Sequence, residues 1–262
     1  MKLKLNTLLF LSSLGAAAMA QGPIGTWMLT DGDAGTDALI QDASVNTFAQ
    51  AAGTNTQYAI AWNGSYLGGT FTTIGRDTGG VGGVYDINHN QVDTFTNFSS
   101  FSGQHLDGTL DTTRNISYSV NFGTGDVIRY GDEYFNAPDS SIYTLAGDIW
   151  SITYNAARDS LFLGGDSAIT EINMSGGFVN SFAIADSRAR SLAYDPSDQT
   201  MWYLDASGSD IVQIDAIGNV LQRNTINLGG NYWGGEIAPV PEPGTFLAIG
   251  AGLALLALRR RK

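Results

Sequence analysis

One pattern recurs through the middle of this chain at a nearly fixed spacing. The runs VYDINHNQV from Val84, VIRYGDEYF from Val127, ITEINMSGGFV from Ile169 and IVQIDAIGNVL from Ile211 are built alike. Each has an apolar run, a polar turn and a second apolar start. The matching positions Ile87, Tyr130, Ile172 and Ile214 stand 43, 42 and 42 residues apart. A second matched run lies upstream of three copies: AIAWNGSYLGG from Ala59, SITYNAARDSLFLGG from Ser151 and SLAYDPSDQTMWYLD from Ser191. Each reads as a strand ending in Trp62, Tyr154 or Tyr194, followed by Asn63, Asn155 or Asp195 and then a second strand. The copy TLDTTRNISYSV keeps the strand-turn-strand form but lacks the aromatic.

Between residues 22 and 240 helix signals are scarce, and Gly, Asn, Asp, Ser and Thr punctuate short runs rich in Val, Ile, Tyr, Phe and Trp. Many short strands joined by turns follow. A period of about 40–45 residues holding some four strands is the signature of a β-propeller blade. One small twisted sheet leaves both faces uncovered, whereas radial stacking lets each blade cover its neighbour. Four copies fall at about 58–101, 107–145, 149–184 and 189–226. A fifth blade is expected from both ends of the body: Trp233–Ala238 as an inner strand, with Ala38–Ile40 and Val45–Phe48 as outer strands. Closing the ring with strands from both termini removes the open edges. The fold class is therefore all-β, a five-bladed propeller plus a C-terminal hydrophobic helix. An open sandwich or an unclosed solenoid is the competing arrangement. The run Ile211 to Val220 resembles the I-x-x-I-D-x-x-G-x-V pattern of NHL and YncE-like propellers, and the resemblance spans roughly residues 58 to 226.

The ends carry addresses. Lys2 and Lys4, the apolar run LNTLLFLSSLGAAA and Ala18-Met19-Ala20 have the three-part order of a secretory signal peptide, residues 1–20. The chain has no Cys. Its exported body, residues 22–239, must bury enough apolar surface without disulfides, which its length permits. Residues 21–258 hold seven basic residues, all Arg, against 25 acidic ones, a net of −18. Such a surface repels phosphate backbones, so nucleic acid is excluded as a partner.

No catalytic set is visible. His89, in the turn INHNQ, and His105, in SGQHLDG, are expected in solvated loops, and they make no zinc pattern with each other. The glycines of Gly79–Gly83 are expected to link strands. Asp31, Asp33 and Asp37 are spaced two and four apart around glycines, which is a candidate Ca²⁺ loop. Gly35 occupies what would be a third ligand position, and the default reading is an Asp/Gly loop that starts a strand. No other cofactor is expected. A repeated aromatic at Trp62, Tyr154 and Tyr194 points to packing between blades, with carbohydrate contact as the alternative.

The tail, residues 240–262, has three parts in order: Pro241-Glu242-Pro243, the apolar run Thr245–Leu258, and the basic cluster Arg259, Arg260, Arg261 and Lys262. As a helix the 14 apolar residues would reach about 21 Å, short of the ~30 Å hydrocarbon core. The basic flank should stay in the cytoplasm. This tail resembles the PEP-CTERM sorting domain of Gram-negative bacteria that make extracellular polysaccharide. The resemblance implies recognition by exosortase, a membrane peptidase, with Glu242 as a recognition residue. It also implies an inner-membrane-tethered precursor that is cleaved near the motif and passed to the outer surface or extracellular matrix. The reading is an exported binding or scaffolding propeller without catalysis, with extracellular polysaccharide as a possible partner. A propeller hydrolase or lyase, or a purely structural matrix protein, are the alternatives.

Overall fold

A computed structural model describes residues 22–41, 44–51, 56–64, 68–75, 80–96, 104–131 and 139–239. The signal peptide and the whole tail beyond Pro239, including the expected hydrophobic helix, lie outside these residues.

The described residues form five antiparallel sheets. The first holds β1 (Thr26–Asp31), β2 (Thr36–Gln41) and β3 (Ser44–Ala49). The second holds β4 (Gln57–Asn63), β5 (Thr70–Gly75), β6 (Val81–Tyr85) and β7 (Gln91–Thr96). The third holds β8 (Gln104–Asp111), β9 (Ile116–Phe122), β10 (Asp126–Tyr130) and β11 (Asp139–Thr144). The fourth holds β12 (Ile149–Asn155), β13 (Ser160–Asn173) and β14 (Phe178–Arg188). The fifth holds β15 (Arg190–Asp195), β16 (Thr200–Leu204), β17 (Asp210–Ile214) and β18 (Val220–Thr225). The last strand, β19 (Gly234–Ala238), returns to pair with β1 from Thr26↔Ala238 to Thr30↔Gly234. The ring is closed by both ends of the body, and the propeller has five blades.

The fourth blade shows three strands only because β13 doubles back. Ser160 Oγ donates to Glu171 Oε1 at 2.8 Å, eleven residues on. An extended strand of that length would span roughly 36 Å. The reversal falls near Ser167, whose φ is 54°.

The repeat has a hydrogen-bonding cause. Between first and second strands, Asp111, Asn155 and Asp195 turn their Oδ1 atoms onto backbone N–H groups two or three residues ahead: Thr113 and Arg114, Ala157 and Arg158, and Ser197. Between third and fourth strands, Asp86, Asn173 and Asp215 accept in the same way from N–H groups two and four residues ahead: Asn88 and Asn90, Ser175 and Gly177, and Ile217 and Asn219. A short carboxylate or amide that mimics a backbone turn is the reason Asx residues recur at these places.

The core is divided among the blade interfaces. Trp27, Leu29 and Ile40 of the first blade pack on Ala193, Trp202 and Ile211 of the fifth. Met28 and Leu39 meet Ile60, Phe71 and Tyr85 of the second. Ala59 and Ile74 meet Leu110, Ile128 and Tyr130 of the third. Leu106, Tyr118 and Val120 meet Ile149, Ile152 and Leu163 of the fourth. Phe162 and Ile169 meet Leu192, Tyr203 and Val212 of the fifth. The outer strands are wet: β14 alternates exposed and half-buried residues, and Phe178 is 63% exposed.

Three loop expectations change. His105 lies inside β8 and is fully buried, with Nδ1 2.9 Å from Ser119 Oγ. His89 does sit after β6 in a turn, but its side chain is 5% exposed. Gly82 and Gly83 belong to strand β6 rather than to a turn.

Candidate functional site

The five inner strands β4, β8, β12, β15 and β19 touch one another around the axis. Side chains lace them together. Thr109 Oγ1 accepts from Tyr154 N at 3.1 Å, and Thr153 Oγ1 accepts from Tyr194 N at 2.9 Å. Asp107 Oδ2 accepts from Ile152 N at 3.0 Å. The pairs 107/152 and 109/154 keep one offset of 45 residues, so neighbouring inner strands run the same way. Their starts gather at one mouth of the channel and their ends at the other.

Asp107 plugs the middle. Its Oδ1 accepts from Gly235 N at 2.9 Å and Gly108 N at 2.8 Å, in addition to the bond from Ile152. It thus joins the third, fourth and first blades. Gly235 belongs to β19, which comes very close to its neighbours. A Cβ at Gly234 would stand 1.9 Å from the Tyr58 carbonyl oxygen, and one at Gly235 would stand 2.7 Å from Ser191 Cβ. Only glycine lets this strand sit so deep. Burial pushes the Asp107 carboxyl well up, opposed by its three N–H donors and reinforced by nearby Glu236.

The mouth at the strand ends opens into a cavity of about 320 Å³. Trp62, Leu110, Tyr154, Tyr194, Pro196 and Pro239 line it, and Glu236 forms part of its wall. Trp62, Tyr154 and Tyr194 therefore do two things: they pack in the interblade clusters and they also ring a cavity. Glu236 is 7% exposed, and its Oε2 has no hydrogen-bond partner. Burial raises its pKa to about 8, with Thr109 and the Ile237 N–H pulling the other way. At neutral pH this carboxyl keeps its proton.

The mouth at the strand starts holds a smaller cavity of about 220 Å³, lined by Tyr58, Leu106, Phe122, Trp150, Arg188 and Trp233 among others. Trp150 and Trp233 stack with centroids 5.4 Å apart. Arg188 lies 4.2 Å over Trp150 and Arg190 lies 4.9 Å over Trp233. Trp150 Nε1 donates to Asp166 Oδ1 at 2.7 Å.

Each Ca²⁺ candidate is engaged by a protein partner. Asp31 Oδ1 accepts from Asp33 N and Ala34 N, and its Oδ2 accepts from Asn231 N. Asp33 accepts the Tyr58 hydroxyl at 2.5 Å. Asp37 is buried and faces the neighbouring blade, where its Oδ2 stands 2.8 Å from His89 Nε2. The His89 ring is clamped between Phe48 and Tyr85, each 4.5 Å away. Desolvation raises the Asp37 pKa, while His89 and Gln50 lower it. Among the described residues no three His, Cys, Asp or Glu side chains converge as a metal site. The sorting residues Pro241, Glu242 and Pro243 and the basic residues Arg259, Arg260, Arg261 and Lys262 lie outside the described residues. Sequence reasoning missed Asp107 and Glu236. The available signal was a carboxylate inside an otherwise buried inner-strand run, HLDGTL and GGEIA.

A family profile described as the PEP-CTERM protein-sorting motif matches residues 239–262. It begins one residue after β19 ends and covers none of the blades. No curated protein matches the chain. Among solved structures, a chain of a nidogen/laminin complex matches with a TM-score of 0.54 at 9% identity, over 81% of this chain and 98% of that one. A protein of unknown function from Bacteroides caccae matches with a TM-score of 0.53 at 9% identity, over 81% and 98%. Virginiamycin B lyase from Staphylococcus aureus gives a TM-score of 0.49 at 14% identity, over 78% and 70%. At these identities the likeness concerns the fold alone. Among the described residues no helix is long and apolar enough to cross a membrane. The chain joins a five-bladed propeller to a PEP-CTERM protein-sorting motif, which implies export and processing by exosortase.

Proposed function

We propose that this protein is a surface- or matrix-associated binding module without catalysis, tethered to the inner membrane by its tail until exosortase cuts near Pro241-Glu242-Pro243. The observation that carries this reading is the sorting motif following directly on the strand that closes the ring. The body supports it. A hydrolase built on two carboxylates needs both free to act on the bond between them. Here Asp107 spends both oxygens on three backbone N–H groups. Among the described residues that leaves no second free acid in the cavity wall beside Glu236. Extracellular polysaccharide is the partner that best suits an acidic, exported body with an aromatic-lined cavity.

Intact mass spectrometry of the protein recovered from its host tests the sorting. A mass lacking residues 1–20 and the segment after about Pro243 is expected; an intact C-terminus overturns it. Cosedimentation with the host's own extracellular matrix tests the binding, and a chain that stays in the supernatant overturns that.

One observation favours a second reading. A buried carboxyl with its pKa raised to about 8 is suited to general-acid work. If the chain shortens host polysaccharide and Glu236→Gln abolishes the cutting, the body is an enzyme.

A further inference from the structure

Two independent observations meet at the cavity beside Pro239. Its walls are aromatic and apolar, with Trp62, Tyr154 and Tyr194 coming from one repeat position in three blades. Its acidic side chain, Glu236, is 7% exposed and leaves Oε2 without a partner. A buried polar atom left unmet is costly. A ligand group that reached it would recover that cost.

The ligand's chemistry follows from the lining. Among the described residues no Lys or Arg lines the cavity. The surrounding body carries a net −18 over residues 21–258, so anions are repelled on approach. A metal cation would find a single carboxyl in the described lining, too few oxygens to replace its water. The lining suits an uncharged ligand. Flat aromatic faces beside one hydrogen-bonding acid suit a ring with apolar C–H faces and hydroxyl edges. The volume of about 320 Å³ lies at the small end of ligand cavities, which run from about 300 to 1,000 Å³. It takes the end of a chain rather than a length of it.

We propose that this cavity binds the uncharged terminal sugar of a glycan, packed against Trp62, Tyr154 and Tyr194 and hydrogen-bonded through a hydroxyl to Glu236. The inference rests on the reading of the body as a binding module and names its site and ligand class. A protonated Glu236 can both donate and accept, and it adds no charge to be desolvated when a sugar closes over it.

The test is calorimetric titration of the full-length chain in detergent with glucose, galactose and mannose tetrasaccharides, and with tetragalacturonate as the charged control. At least one neutral sugar binds, and the control binds at least about tenfold more weakly. Trp62→Ala and Tyr154→Ala each weaken binding about tenfold or more, the loss of one anchoring aromatic. Binding to the unaltered chain weakens as pH rises past 8, while Glu236→Gln binds with no such slope. Should the alanine variants unfold, saturation-transfer NMR on the unaltered chain must show sugar C–H protons receiving magnetisation from aromatic rings. The inference is overturned if no neutral sugar binds, if tetragalacturonate binds as well, or if neither aromatic matters. Retention of the host matrix without sugar binding at this cavity would sink the inference and leave the binding reading standing. Loss of both sinks both.

Discussion

Asp107 of β8 accepts a hydrogen bond from the backbone of Gly235 in β19, 2.9 Å away and 128 residues further along the chain. This bond crosses from the third blade to the closing strand of the first. It makes the centre of the propeller a filled polar node rather than an open channel. Removing the carboxylate in Asp107→Ala leaves three buried N–H groups unpaired. At about 1–3 kcal/mol each, a loss of at least 3 kcal/mol is expected. For a body of this size that lowers the melting temperature by roughly 6–12 °C, readable by circular dichroism. Asp107→Asn keeps one acceptor and should fall between.

Glu236 makes stability depend on pH. Its pKa is raised from 4.5 to about 8 in the fold, so the folded chain holds a proton that the unfolded chain releases. Its contribution is fully present below about pH 4.5 and is lost as pH rises through about 8. Melting curves of Glu236→Gln should fall less steeply over that window than those of the unaltered chain, by a few kcal/mol in total. Parallel slopes would refute the assignment.

His89 pins the second blade to the first through Asp37, with Phe48 and Tyr85 on either side of its ring. His89→Ala leaves Asp37 Oδ2 buried without this partner, at a cost of roughly 1–3 kcal/mol. Urea denaturation measures it. His89→Gln restores a hydrogen-bond donor without the stacked ring and should recover part of the loss.

Ring closure hangs on one strand. A chain ending at Asn231 lacks β19 and exposes the inner edge of β1. It should unfold or aggregate at 25 °C, seen as lost protease resistance. A chain ending at Val240 keeps β19 and should melt like the full body. Closed rings owe their stability to having no open edge.

Calcium offers a further check. Asp31, Asp33 and Asp37 each serve a different partner. Titration with Ca²⁺ should release no heat and leave the melting temperature unchanged. A stabilisation by Ca²⁺ that Asp33→Ala removes would instead establish a calcium loop.

The sequence by itself determined what repeats. The spacing of 42 to 43 residues, the Asx residues Asn155, Asn173, Asp195 and Asp215, and the sorting tail are local signals; in the copy from Val84 the structure places the turn on Asp86, two residues before the Asn88 that follows Ile87. A turn is written within a few residues of itself, because its hydrogen bonds reach only two to four positions ahead. Closure by a terminal strand was legible too, since a ring of stacked sheets leaves no other place for an apolar run beyond the last blade. What only the tertiary structure decided is what the ring brings together. His89 reads as a polar turn residue until the first blade supplies Asp37, 52 residues earlier in sequence. Asp107 and Glu236 are 129 residues apart in the chain, yet they come near enough to act on each other, and burial raises the pKa of both. Trp62, Tyr154 and Tyr194 look like packing repeats in any one blade. They become the wall of a cavity because the inner strands all end at the same mouth, a fact that belongs to the ring and to no single segment of it.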